Sequence, residues 1–373
     1  MESRVKRVKL REIVSVFDKK NTEGKALPVY GINKDNEFMP TVANLEGVDT
    51  SKYKILTKGV FAFNGMHVGR DIAIPIGKYN FDSDALISPA YTTFTINKNH
   101  NLLVEYFEVI IRVDEFDRLA WFYCDSSVRG GLDWKRFLDI EIPLPSLSEQ
   151  QKVVNVWKAF REIKEQNEAK AAPLMQLCQS YIQELKHKTK ATYRIGKAIR
   201  LQDETNTENK LYDVLGLNKD KEFMPTVANL ENVSLKKYKV VSKGQFAFSG
   251  MQTGRDICIR ISLYEKDVPA LISPAYTTFT LDEKEPLLPE YMMLMFKNSE
   301  MDRLGWFYSD SSVRSNLDWN RFLDIEIPYV PFDVQRAIVN IYKCANEAKQ
   351  IAAEADRLSR EVCPALIQHI IHN

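Results

Sequence analysis

Two short loops carry the residues best suited to surface chemistry. The first is Asn64-Gly65-Met66-His67-Val68-Gly69-Arg70, and the second is Ser126-Ser127-Val128-Arg129-Gly130-Gly131, followed by Lys135 and Arg136. Each returns later in the chain, as Ser249-Gly250-Met251-Gln252-Thr253-Gly254-Arg255 and as Ser311-Ser312-Val313-Arg314-Ser315-Asn316, followed by Asn320 and Arg321. Paired glycines let a backbone approach a phosphate closely, and the side chains between them can reach base edges. An arginine reads guanine bidentately and a glutamine reads adenine. Hydroxyls, glycines and a cation in one loop suit phosphate positioning. The plainer reading of the first loop is a hairpin turn whose arginine pairs with Asp71 or Asp256. The plainer reading of the second is a cap on a core built around Trp134 and Trp319. Lys34, Lys58, Lys219 and Lys243 are further candidates for phosphate contact. Tyr91, Trp121 and their later equivalents are assigned to the core, where aromatics usually sit.

Catalytic chemistry has little to stand on. There is no GxGxxG after a strand, no GxxxxGK[ST] loop and no HExxH, and Ser88-Pro89-Ala90-Tyr91 is not the Asn/Asp-Pro-Pro-aromatic motif of amino-methyltransferases. His67, His100, His187, His369 and His372 do not recur between the two halves, whereas a duplicated active site would keep its base. Asp82 and Asp84 near Lys78 suggest a carboxylate cluster, but the second half offers only Asp267. Cys124, Cys178, Cys258, Cys344 and Cys363 are scattered and never form CxxC, which argues against a zinc site or disulfide framework and fits a reducing cytoplasm. No segment reads as a signal peptide or membrane span. Net charge is +1 with a pI near 7.6, so no global field draws the chain to nucleic acid. Local cations exist at Arg4, Lys6, Arg7, Lys9 and Arg11, and at Lys186, Lys188, Lys190, Arg194, Lys197 and Arg200. On composition alone these are solvated faces.

The elements that must position the loops are written twice. The sequence NKDNEFMPTVANLEGV at residue 33 returns as NKDKEFMPTVANLENV at residue 218, an offset of 185 that holds without a gap. About 70 of the 111 positions over 33–143 are identical to their counterparts. Asn21-Thr22-Glu23 maps onto Asn206-Thr207-Glu208, Gln150 onto Gln335 and Cys178 onto Cys363. A unit this long is a domain and not a solenoid repeat.

Each copy begins with short β-rich runs between turn residues, in the first copy at 27–32, 59–63, 71–76, 91–96 and 138–142. Residues 103–119 read as one amphipathic helix, with Tyr106, Val109, Ile110, Val113 and Phe116 on one face. After Pro143 and Pro145, Ser148 and Gln151 form a capping box, and apolar positions follow at helical spacing from Val153 to Leu185. In the second copy Asp333 serves as N-cap, and a near-heptad seam runs through Ile338, Ile341, Tyr342, Ala345, Ala348, Ala352, Ala355, Leu358, Val362 and Leu366. Pro173 and Pro364 predict a kink or break. A long helix with one apolar seam needs a partner, and the equivalent helix of the other copy supplies it. The expected fold is therefore α+β, with globular domains at 1–147 and 189–332. Two long antiparallel helices at 148–188 and 333–373 form a coiled-coil spacer under a pseudo-twofold.

Two matched domains on a rigid spacer suit a ligand with two matched sites, and duplex DNA read as half-sites is one such ligand. The turn IPLPSLSEQQKVV (142–154), placed after SSVRGGLDW and repeated once per chain, resembles that of the type I restriction-modification specificity subunits over essentially all 373 residues. The second copy departs from it, with Phe332 for Leu147 and Val334 for Glu149, but keeps Gln335. The resemblance implies a non-catalytic subunit whose target recognition domains each read half of a bipartite target in double-stranded DNA. The helices would set the gap and dock two methyltransferase subunits. S-adenosylmethionine would bind on those partners, where adenine-N6 is methylated, and ATP and Mg would bind on restriction subunits if present. Two rival readings remain: a scaffold pairing two partner proteins without DNA, and a stand-alone duplicated DNA-binding protein.

Overall fold

The computed structural model describes residues 5–66, 68–97, 101–125, 130–310 and 312–372, excluding the side chains of Arg70, Lys186 and His187. Contacts divide the chain into two units, Met1–Asn167 with Gln350–Asn373, and Glu168–Lys349. The fold mixes helix and sheet, and each unit has the same plan.

In the first unit, Val14–Val16, Thr92–Ile96, Phe61–Phe63 and Ile76–Lys78 form an antiparallel sheet in that order. A second sheet runs Phe38–Pro40, Val29–Ile32, Ala85–Ile87, Lys54–Leu56, and its central pair is parallel. Arg7–Lys9 pairs with Glu141–Pro143, so the last strand before the proline-rich turn is tied to the first strand of the domain. The second unit repeats both sheets and the terminal pair, from Thr192–Arg194 to Glu326–Pro328. Register is duplicated too: Phe61 faces Phe94 as Phe246 faces Phe279, with rings stacked at 5.3 and 5.0 Å. Around these rings Phe63, Phe107 and Phe137 fill the first core, and Phe248, Phe296 and Phe322 the second.

Two helices of 42 and 41 residues follow the domains, Leu147–Lys188 and Phe332–His372. Both enter each unit. In the first unit Trp157 shares a core with Cys363, Ile367 and Ile370, and Lys164 reaches Asp356 at 2.9 Å. As one residue number rises the other falls, so the helices run antiparallel there. In the second unit Cys178 and Ile182 join a core with Ile338 and Val339, again antiparallel. The matched cysteines Cys178 and Cys363 are thus both core packing residues, and burial raises the pKa of each thiol.

Several local expectations need correction. The helix expected over 103–119 is two, Val104–Ile110 and Asp114–Phe122. Between them Arg112 donates to the carbonyls of Asp35 and Asn36, at 2.8 and 3.2 Å, and Asp114, Glu115 and Asp117 favour a new N-terminus. The strand expected at 71–76 starts only at Ile76, because Val68–Asp71 is a helical turn and Ile72 has φ 48°. The capping box at the first long helix is Ser146 with Glu149, two residues before the expected pair: the Ser146 N–H and hydroxyl donate to Glu149 at 3.1 and 2.9 Å. Asp333 lies inside the first turn and is not the cap. Pro173 and Pro364 break neither helix. The residues after them, Cys178 and Ile182 in one case and Ile367 and Ile370 in the other, are buried, and that packing outweighs a lost backbone hydrogen bond.

Candidate nucleic-acid interface

The two candidate loops of each copy are brought together by glycines. In the first unit the Leu132 N–H donates to the Gly65 carbonyl at 2.9 Å, and the Gly69 N–H to the Gly130 carbonyl at 2.7 Å. A Cβ on Gly65 would lie 1.8 Å from the Leu132 carbonyl oxygen, and one on Gly69 would lie 2.7 Å from the Gly130 Cα. Only glycine permits this approach. Gly130 also holds φ 58°. The second unit closes in the same way, through Leu317 to Gly250 at 2.9 Å and Gly254 to Ser315 at 2.8 Å.

Asp310 is the hub of the second loop in its unit. Its Oδ1 accepts from the Ser312 N–H at 3.1 Å, the Ser312 hydroxyl at 2.5 Å and the Asn316 N–H at 3.0 Å, and the Ser312 hydroxyl chiefly holds its carboxyl below the usual range. Asn316 in turn accepts from the Gln252 N–H at 2.9 Å, which locks one loop to the other. The sequence singled out the serines and passed over this aspartate, although Asp-Ser-Ser is a recognisable Asx-turn signal. In the first unit the Gly131 N–H donates to Asp125 at 3.1 Å.

The candidate side chains divide by accessibility. Met66, Met251, Lys135 and Arg314 are exposed, and Arg314 has no ion-pair partner among the described residues. Asn64 accepts from the Met66 N–H at 2.9 Å and shapes the turn. Arg255 bonds Gln252 at 2.6 Å and Asp256 at 3.1 Å, and the Arg255 guanidinium chiefly lowers the Asp256 carboxyl's pKa. Lys219 lies 4.0 Å from that carboxylate. Arg136 and Arg321 pair with Asp133 and Asp318 at 3.7 and 3.3 Å. Thr253 is fully buried with its hydroxyl on the Gly250 carbonyl at 3.1 Å, and Ser249 is buried in its strand. Both brace the loop from inside, which corrects the expectation that they contact a ligand. Lys58 and Lys243 are not brought to the loops; each pairs with an exposed aspartate, Asp82 or Asp267, at 2.6 Å. Lys34 is exposed beside a cavity of about 130 Å³ lined also by Arg112, Trp157 and Arg360. His67, Ser126, Ser127, Arg129 and Ser311, and the side chain of Arg70, lie outside the described residues.

Two further residues proved structural. Gln150 and Gln335, completely buried, tie the head of each long helix to its domain. The Gln150 side chain accepts from the Leu103 N–H at 2.8 Å and donates to the carbonyls of Asn101 and Pro145, at 2.7 and 2.9 Å. Gln335 repeats this with Leu288, Pro286 and Val330. Trp121 and Trp306, expected in the core, are instead about half exposed, at 52% and 56%. Tyr91 packs against the small core of its sheet as expected. The suspected carboxylate cluster dissolves, since Lys78 bonds Glu108 at 2.5 Å and Asp82 bonds Lys58. Among the described residues no group of three or more His, Cys, Asp or Glu could hold a metal, and no helix is long and apolar enough to cross a membrane.

Residues 2–172 match the model of the type I restriction modification DNA specificity domain. The second half repeats the matched sequence at the 185-residue offset, so the chain is similar to that domain in both halves. Among solved structures, the chain is similar to the type I restriction-modification system S subunit from M. genitalium. The identity is 12% and the TM-score 0.64, over 99% of this chain and 97% of that one, a likeness of fold. The HsdS subunit from Thermoanaerobacter tengcongensis is 14% identical, covering 98% and 97%, with a TM-score of 0.39, too low to bear on the fold. No curated protein matches the chain.

Proposed function

We propose that each glycine-braced loop pair reads one half of a bipartite target in double-stranded DNA, and that the long helices fix the gap and dock two methyltransferase subunits. The observation that carries this reading is a match to a DNA specificity domain over residues 2–172 whose sequence returns at the 185-residue offset, each copy with the same pair of loops held together backbone to backbone. Rigid loops hold side chains in register with base edges, and Arg314, exposed and without an ion-pair partner, suits a phosphate or guanine. The partners would supply S-adenosylmethionine and flip the adenine for N6-methylation, and restriction subunits would add ATP and Mg. A gel shift of the full chain on random duplex across a salt series tests the reading. Affinity falling steeply with salt is expected, with Arg314→Ala weaker and its salt slope shallower by about one. Binding that ignores salt would favour the protein scaffold instead.

A further inference from the structure

The apolar surface beside the loops is unusual and occurs twice. Phe122 is 79% exposed and Phe307 76%, each next to its half-exposed tryptophan. Isolated exposed apolar residues are ordinary, but a Trp-Phe pair left to solvent at matched positions of both copies asks for a partner. The pair ends the helices Asp114–Phe122 and Ser299–Tyr308. Those helices pack directly on the first loop. A Cβ on Gly305 would meet the Thr253 side chain at 3.2 Å, and Asp302 accepts from the Ile259 N–H at 2.9 Å, as Asp117 does from Ile74. The chain then enters the second loop within four residues.

Arginines lie near the ring-bearing helix end, several of them paired: Arg303 with Glu300, Arg321 with Asp318 and Arg255 with Asp256. In the second unit Arg321 donates to the Tyr308 carbonyl at 2.8 Å, Arg303 lies one turn back on the same helix, and Arg255 and Arg314 lie in the two adjoining loops. The ring centroids of Phe307 and Tyr308 lie 5.6 Å apart, as do those of Phe122 and Tyr123, so each phenylalanine touches one neighbouring ring. An exposed ring at a helix end, beside loops that carry arginines, fits a base stack flanked by phosphates better than it fits an apolar protein groove.

Resting on the proposed DNA reading, we infer that Phe122 and Phe307, backed by Trp121 and Trp306, are wedges that enter a base step at each half-site and unstack it. A wedge at this place would lower the cost of extruding a nearby base.

The test begins by selecting duplexes from a random library with the full wild-type chain, then placing 2-aminopurine at successive positions of a recovered sequence. Expected is a rise in 2-aminopurine fluorescence at one step per half-site on binding. Phe122→Ala should abolish it at one half-site and Phe307→Ala at the other, each weakening affinity about tenfold or more. Phe122→Trp should restore the signal, and melting temperatures should hold, since the rings are exposed. If the wild-type chain enriches no duplex, the DNA reading falls and the wedge with it. If it binds duplex but both alanine variants match its affinity and fluorescence, the wedge alone is overturned. The same holds if the variants keep DNA and lose only a co-expressed methyltransferase, which would assign the rings to protein docking.

Discussion

At the residue scale, Gln150 and Gln335, both buried, each satisfy three backbone groups. Gln150→Ala strands an N–H and two carbonyls, and should cost about 2–4 kcal/mol of stability in a urea melt; Gln335→Ala should cost the same. The glycine brace gives a sharper contrast. Gly65→Ala drives a Cβ into the Leu132 carbonyl, whereas Gly31→Ala meets nothing nearer than the Tyr91 hydroxyl at 3.9 Å. The first should cost about 1–3 kcal/mol and weaken duplex binding, and the second should leave binding unchanged. Burial raises the Asp117 carboxyl's pKa, so ionising it costs the folded state more than the unfolded one, and stability falls as pH rises through that interval. Asp117→Asn keeps the acceptor for Ile74 and should raise the melting temperature at neutral pH. The gain should fade in acid, where Asp117 is already protonated; a gain equal at both pH values would contradict this. The two loops were legible as paired, glycine-bearing segments. Their locking through Asp310 and Asn316 was not, because it depends on which backbone N–H groups face a carboxylate across the fold. Trp121 was misread because residue type predicts burial only on average, and its position at a helix end leaves the ring outside.

At the element scale, the copies keep their topology while exchanging buried charges. Lys78 and Glu108, both largely buried and paired at 2.5 Å, are replaced at the offset by Leu263 and Met293. Conversely Lys221 and Asp302, paired at 2.7 Å, stand where the first copy has Asn36 and Asp117. One fold thus tolerates an ion pair or an apolar pair at the same joint, as desolvation arithmetic allows. The double change Lys78→Leu with Glu108→Met should be neutral or stabilising, while Lys78→Leu alone, which leaves Glu108 buried without its cation, should cost about 3–5 kcal/mol by chemical denaturation. The long helices were readable from apolar spacing, and their starts were placed to within one residue. Their passage through Pro173 and Pro364 was not readable, because packing beyond each proline decides it. The split of 103–119 into two helices hangs on Arg112 reaching Asp35 and Asn36, contacts 76 and 77 residues away in sequence.

At the scale of the whole molecule, the repeat was the most legible feature, and it carries the functional account. About 70 of 111 positions agree between copies, and the two loop pairs differ at few positions, among them His67/Gln252 and Gly131/Asn316. One recognition chemistry used twice should therefore read two similar half-sites. Methylome sequencing of a host expressing this chain with its methyltransferase tests that claim most directly. Methylated adenines are expected in two similar, inverted half-sites separated by a fixed gap. Two unrelated half-sites, or methylation with no bipartite motif, would contradict it.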